Sequence, residues 1–397
     1  MHEKELISIA DKCIMGTYRR FPVVFTRGRG MKLWDTEGRE YLDFVAGIAV
    51  CSLGHAHPAV TRAIQEQAER LVHVSNLYYI ETQIEYARLL TENCALKKVF
   101  FCNSGAEANE GAIKLARKFG NDASGGMRNE IISMTASFHG RTMATITATG
   151  QEKFQHGFHP LLPGFKYAPF NDLETLAGMI TERTCAVLVE PIQAEGGIKL
   201  AAPGYFAGLR KLCDERNILL ILDEVQVGMG RTGSLFAYEQ EGIIPDIITL
   251  AKAIGNGFPL GATLAGEKVA DAFAPGSHAS TFGGNPLGMA AARATLAVLL
   301  SEGIVQECRN KGSYLMARIE ELRARHQLIK EVRGRGLLVG VELNGEAAAI
   351  IARAMKRGLL IASAGPNVLR FVPPLIATKQ DIDQAAAILD EVFKEEE

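Results

Sequence analysis

Through the middle of the chain, short apolar runs alternate with amphipathic stretches. Val99–Cys102, Ile131–Met134, Ala186–Val189, Ile218–Leu222 and Ile247–Leu250 read as strands, with Ala106–Phe119 and Tyr205–Glu215 as helices between them. The strands are apolar on both faces, as parallel strands covered by helices on each side must be. The pattern predicts an α/β fold with a mostly parallel central sheet and helices on both faces, whose ligands bind at the carboxyl ends of the strands. The ends of the chain break this rhythm. Val23–Leu42 suggests a hairpin, and a C-terminal block holds strands Ile329–Arg333 and Leu337–Glu342 with helices Ala347–Arg357 and Gln380–Phe393. These predict a smaller α+β domain. Pro286–Leu300 begins with a proline after Asn285 and reads as the helix linking the two parts. The expected division is 1–50 as an N-terminal segment contributing to the small domain, 51–285 as the large domain, and 286–397 as linking helix and C-terminal small domain.

Composition narrows the function classes. The 397 residues carry 47% hydrophobic and 22% charged side chains and a net charge of −2, without the basic excess of a nucleic-acid binder. Small molecules and copies of the same chain are the expected partners. Seven scattered cysteines with no C-x-x-C pair argue against a disulfide framework or a zinc knuckle. No apolar run approaches about 18 residues, so no membrane span is expected, and the acidic N-terminus does not read as a signal peptide. A cytoplasmic enzyme is the expectation. His55-Ala56-His57 and His156-x-x-His159 have no acid or cysteine cluster beside them, so no metal site is expected.

Candidate chemistry begins at Asp223 and Glu224, where the strand Ile218–Leu222 emerges. Alone, such an acid is as readily a loop or helix cap. Lys252 changes the balance. It lies between Ala251 and Ala253, after a strand and before the glycine turn Gly255–Gly257. A lysine there can reach a pocket, where desolvation lowers its pKa and frees the amine for Schiff-base chemistry. An acid then has a use: pyridoxal phosphate needs a lysine for its aldehyde and an acid to keep its ring nitrogen protonated. A phosphate cradle is also available. After Cys102 the chain turns through Asn103-Ser104-Gly105-Ala106 into a helix, whose first N–H groups suit phosphate. Ser104 with Glu107 fits a capping box equally well, and the two readings are compatible.

Asn103-Ser104-Gly105-Ala106-Glu107-Ala108, Phe138-His139-Gly140-Arg141, Glu190-Pro191-Ile192-Gln193, Asp223-Glu224-Val225-Gln226, Lys252 and Thr281-Phe282-Gly283-Gly284-Asn285-Pro286 together resemble the class III aminotransferases, which are fold type I pyridoxal-phosphate enzymes. The match runs in order from about Gly28 to the C-terminus. The resemblance implies that Lys252 and Asp223 are catalytic and that Gly105 and Ala106 hold the phosphate. It also implies that Phe138 stacks on the ring, Val225 packs behind it and Gln226 bonds its 3-oxygen. Thr281 is implied to reach the phosphate of a neighbouring subunit, making the active site a product of a homodimer, with Ser280 beside it as a substrate-binding residue.

Within the family, Phe138–Phe165 resembles the acetylornithine branch. That likeness implies that Arg141 pairs with a substrate α-carboxylate, for which a planar guanidinium is suited. It also implies that Arg370 takes the carboxylate next to the reacting carbon of 2-oxoglutarate or glutamate, and that Glu195 screens Arg370 while the distal amine is bound. Gly47–Val50 is apolar where ornithine aminotransferases place a tyrosine, which favours an acylated substrate. N-succinyldiaminopimelate and ornithine remain alternatives. Tyr78 and Tyr79 are further candidates for the pocket wall. A formal rival is the run Gly228-Met229-Gly230-Arg231-Thr232-Gly233, which spells a dinucleotide fingerprint. Asp223–Val227 separates it from its strand and no long helix follows, so a nicotinamide dehydrogenase is disfavoured. A pyridoxal-phosphate decarboxylase or aminomutase is a third class, against which Arg141, Glu195 and Arg370 speak.

Overall fold

In a computed structural model describing residues 2–396, a seven-stranded sheet runs through the centre of the chain. Its strands lie in the order Lys98–Cys102, Gly261–Ala265, Ile247–Leu250, Leu219–Asp223, Thr184–Val189, Glu130–Met134 and Phe165–Ala168. Neighbours from Ile247–Leu250 to Phe165–Ala168 pair in parallel. Only Gly261–Ala265 runs antiparallel to both its neighbours. Thr184–Val189 and Leu219–Asp223 are buried along their whole length, which accounts for their unbroken apolar sequence.

Gly261–Ala265 is a strand that the apolar pattern does not reveal. It follows a glycine turn and holds one large aliphatic residue, Leu264, yet all five residues are buried. Small side chains are needed there: a Cβ on Gly261 would stand 2.3 Å from the Ser104 carbonyl oxygen. The helix expected at Ala106–Phe119 spans Gly105–Ser124. It opens on Ser104, whose side chain accepts from the Glu107 N–H, and stops at left-handed Gly125. Pro286–Ser301 opens on Asn285, which accepts from the Gly288 N–H.

The expected N-terminal hairpin is a three-stranded meander, Phe25–Arg29, Lys32–Asp35 and Glu40–Asp43, whose last strand pairs in parallel with Leu359–Leu360. The chain's two ends thus share one sheet. A second four-stranded sheet joins Ile329–Arg335, Leu338–Leu343, Val368–Phe371 and Ala362–Ser363.

The glycine run at 228–233 has a structural use. It forms successive turns rather than opening a helix. Arg231, 1% exposed, donates to the carbonyls of Leu337 and Pro373 and to the Ser52 hydroxyl. One guanidinium therefore ties the central body to the C-terminal sheet. It has no carboxylate partner among the described residues, and burial lowers its pKa to about 10.

Candidate active site

Because the strands run parallel, the segments after Cys102, Met134, Val189, Asp223 and Leu250 leave the sheet at one edge and enclose a cavity of about 390 Å³. Gly105, Ala106, Phe138, Arg141, Asp223, Val225, Gln226 and Lys252 all border it.

Asp223 ends its strand and is 4% exposed. Its Oδ2 accepts from Asn109 Nδ2 and faces His139 Nδ1, each at 2.8 Å, and its Oδ1 accepts from the Val225 N–H at 3.0 Å. Asn109 is itself held by Thr249, which donates to its Oδ1, and by the His139 carbonyl. A buried carboxylate is tolerable only with such partners. Sequence reasoning gave His139 no role and overlooked Asn109. The available signal was a polar residue on the buried face of an otherwise small-residue helix, Ala108, Asn109 and Ala112.

Lys252 sits in the left-handed region at φ +47, a conformation that costs a side-chain-bearing residue free energy and clusters at functional sites. Burial lowers the pKa of its amine, an effect partly offset by Glu195. In the wall of the same cavity, the N–H groups of Gly105 and Ala106 begin a 20-residue helix and have no acceptor among the described residues. A Cβ on Gly105 would lie 2.8 Å from Val225 Cγ1, so a bare backbone is required at that wall. Free N–H groups at a helix start, a buried acid and a buried amine are the donor set that pyridoxal phosphate requires; the residues fit it.

Gln226 leads outward from the cavity. Its Oε1 accepts from Arg370 Nη1 at 2.9 Å and its Nε2 donates to Glu195 Oε1 at 3.4 Å, while Arg370 and Glu195 form an ion pair. Burial alone would raise the Glu195 pKa; the Arg370 guanidinium, Lys252 and Gln226 together outweigh it and hold the carboxyl below its ordinary range. Arg141 is exposed, stacks over the Phe154 ring at 4.2 Å and has no carboxylate partner among the described residues.

Glu190 is a further residue to which the sequence reading gave no role. It directly follows the buried strand Thr184–Val189, and its carboxyl accepts from the Phe138 and Ala194 N–H groups. Burial, and next the charge of Asp223, push its pKa well above the ordinary value. It fastens the Phe138 loop to the loop carrying Glu195.

Four candidate residues lie outside this cavity. Ser280 and Thr281 do not border the cavity of their own chain: Ser280 Oγ accepts from Asn103 Nδ2, one residue removed from the wall, and Thr281 is exposed. Tyr78 and Tyr79 are 66% and 96% exposed and lie outside the cavity wall. No group of three or more potential ligands that could hold a metal ion occurs among the described residues. No single described helix is long and apolar enough to cross a membrane.

Residues 14–393 match the family model for class-III aminotransferases. An acetylornithine aminotransferase of Caldanaerobacter subterraneus is 54% identical over 98% of this chain and 99% of its own length. One of Gloeobacter violaceus is 56% identical over 96% of each. Among solved structures, an ornithine aminotransferase from Toxoplasma gondii is similar with a TM-score of 0.96 at 32% identity, covering 100% of this chain and 97% of the other.

Proposed function

The chain belongs to the class-III aminotransferases, and on that premise we propose that it moves the δ-amino group of N2-acetyl-L-ornithine to 2-oxoglutarate, giving N-acetyl-L-glutamate 5-semialdehyde and L-glutamate. The observation that carries this reading is the Glu195–Arg370 pair joined through Gln226 to the Lys252 cavity, which Arg141, without a carboxylate partner among the described residues, also lines.

Pyridoxal phosphate, when bound, supplies an aldehyde that captures the amine and a ring that accepts the electrons released with the proton. Gly105 and Ala106 would hold its phosphate, Phe138 and Val225 would pack against its ring, and Gln226 would serve its 3-oxygen. Asp223 keeps its ring nitrogen protonated, itself held still by Asn109 and His139. Lys252 Nζ, favoured in its neutral form by burial, takes a proton from the substrate δ-carbon. In the second half-reaction it returns one to the α-carbon of the acceptor. Arg141 takes the α-carboxylate of the first substrate. That substrate has no carboxylate beside its reacting amine, so Glu195 stays on Arg370; 2-oxoglutarate brings one and displaces it.

The apolar residues Gly47–Val50 offer no side-chain acceptor for the α-ammonium of free ornithine, which favours an acylated donor. N-succinyldiaminopimelate is the second reading. We read the assembly as a homodimer with shared active sites. In support, Leu77, Tyr79 and Phe282 are 83%, 96% and 61% exposed, and Asn76 bonds the carbonyls of Ser280 and Gly283, so the apolar surface is continuous with Thr281. The division at residues 50 and 285 is likewise our reading, with residues 51–285 as the cofactor-binding domain. Seven free cysteines suit a reducing compartment, so the cytoplasm is the proposed location.

The test is kcat/KM for N-acetylornithine, ornithine and N-succinyldiaminopimelate with 2-oxoglutarate as acceptor. N-acetylornithine should exceed ornithine by at least about tenfold. A preference for ornithine overturns the substrate, and transfer from none of the three overturns the function.

A further inference from the structure

Residues Ala46, Gly47, Ile48 and Ala49 all have positive φ, at 50°, 64°, 66° and 59°. The N–H of Ala49 bonds the Val45 carbonyl and that of Val50 bonds the Ala46 carbonyl, so the segment makes one turn of left-handed helix. Three of its four residues carry a Cβ, and Ile48 is β-branched, the least suited class for this region. Such a conformation persists only where its surroundings over-determine it.

Those surroundings are specific. Asp43, 1% exposed, accepts through Oδ1 from the Val45 and Ala46 N–H groups at 2.8 and 2.9 Å. Its Oδ2 lies 2.7 Å from His55 Nε2. Downstream, Asn256 accepts from the Leu53 N–H and donates to the Gly54 carbonyl, four residues beyond Lys252. Upstream, the Phe44 carbonyl accepts from the Val372 N–H, two residues beyond Arg370. The strained turn therefore hangs between the segment that carries Arg370 and the segment that carries Lys252. Val50 lines the Lys252 cavity together with Arg141. Gly47 and Ile48 line a neighbouring cavity of about 580 Å³ that Arg370 also borders.

We propose that Asp43 and His55 are positioning residues for the amino-donor substrate: they hold residues 46–49 left-handed and so set Val50 in the wall of the cavity that Arg141 also lines. The acceptor depends on Arg370, which has anchors outside the turn, its strand pairing with Gly340 and its bond to Gln226. Loosening the turn therefore weakens donor binding and spares the acceptor. The proposal rests on the aminotransferase reading above for the existence of two substrates, but the conformation of the turn can be read without either.

The variants are Asp43→Ala, His55→Ala and Asp43→Asn, the last keeping the Oδ1 acceptor. In holoenzyme without substrate, hydrogen exchange at the Val50 and Cys51 amides, both bonded to the Ala46 carbonyl, should speed at least tenfold in the alanine variants. Donor KM should rise at least fivefold, with kcat and the 2-oxoglutarate KM within twofold of wild type, and Asp43→Asn should restore most of the loss. If Asp43→Ala fails to fold, His55→Ala carries the test. Should the wild type use a different amine, the donor KM is read with that amine, and only the substrate assignment falls. Unchanged exchange in the alanine variants overturns the proposal; so does faster exchange with donor KM unmoved, or an equal loss for donor and acceptor.

Discussion

Arg370 and Glu195 form an ion pair in which Gln226 bonds both partners, so a residue of the cofactor cavity registers whether the pair is closed. Replacing Glu195 with Gln leaves Arg370, 3% exposed, without its counter-charge, ready for a carboxylate beside the reacting carbon. Glu195→Gln should therefore cut the preference for N-acetylornithine over glutamate as amino donor by about tenfold, some 1.4 kcal/mol. Half-reaction rates with each donor measure this, and an unchanged ratio removes Glu195 from the switch.

Asp223 is both a proton partner and the anchor of a buried network. Asp223→Ala should lower kcat by at least about a hundredfold, the scale of a lost general acid–base contribution. It also strands Asn109 and His139 in the interior, at roughly 1–3 kcal/mol for each unsatisfied group. Turnover and thermal melting of the same preparation separate the two effects. Asn109→Ala should lower the melting temperature while leaving much more activity than Asp223→Ala.

The Asp43 hydrogen bond, and next that of Cys51, raise the His55 pKa from 6.5 to about 9. The folded state binds this proton more tightly than the unfolded chain. The stabilisation is therefore complete below about pH 6.5 and is lost as pH rises through about 9. Denaturant midpoints of wild type should fall across that window more steeply than those of His55→Ala. Parallel curves would mean that the pair makes no pH-dependent contribution.

Arg231 supplies two hydrogen bonds across the junction between the central body and the C-terminal sheet, to the Leu337 and Pro373 carbonyls, and a third to the Ser52 hydroxyl. Arg231→Ala leaves those acceptors unpaired and opens a cavity, so roughly 3 kcal/mol or more of stability should be lost. Chemical denaturation gives the value. A loss below about 1 kcal/mol would show that removing a buried charge compensates.

The sequence made most of the fold legible because its central strands are buried on both faces and read as unbroken apolar runs. Gly261–Ala265 escaped because close approach to Ser104 demands small residues, which carry no apolar signal. Of the site, Asp223 and Lys252 stand out only together, as an acid and an amine at the ends of two buried strands. Asn109 does not, since its partners Thr249 and Asp223 are more than a hundred residues away. The left-handed turn at 46–49 was hidden for the opposite reason: one glycine among four residues, beside a β-branched isoleucine, argues locally against the conformation that Asp43 imposes. Tyr78 and Tyr79, which the sequence suggested as core or pocket wall, are exposed on their own chain, and Tyr79 belongs to the surface proposed to meet a second copy.

The most direct measurement is the visible absorbance spectrum of the purified holoenzyme before and after one equivalent of N-acetylornithine, with no acceptor present. The band of lysine-bound pyridoxal phosphate should be present, should collapse faster with N-acetylornithine than with ornithine or N-succinyldiaminopimelate, and should return when 2-oxoglutarate is added. Absence of that band after incubation with pyridoxal phosphate, or its presence unaltered in Lys252→Ala, would contradict the assignment.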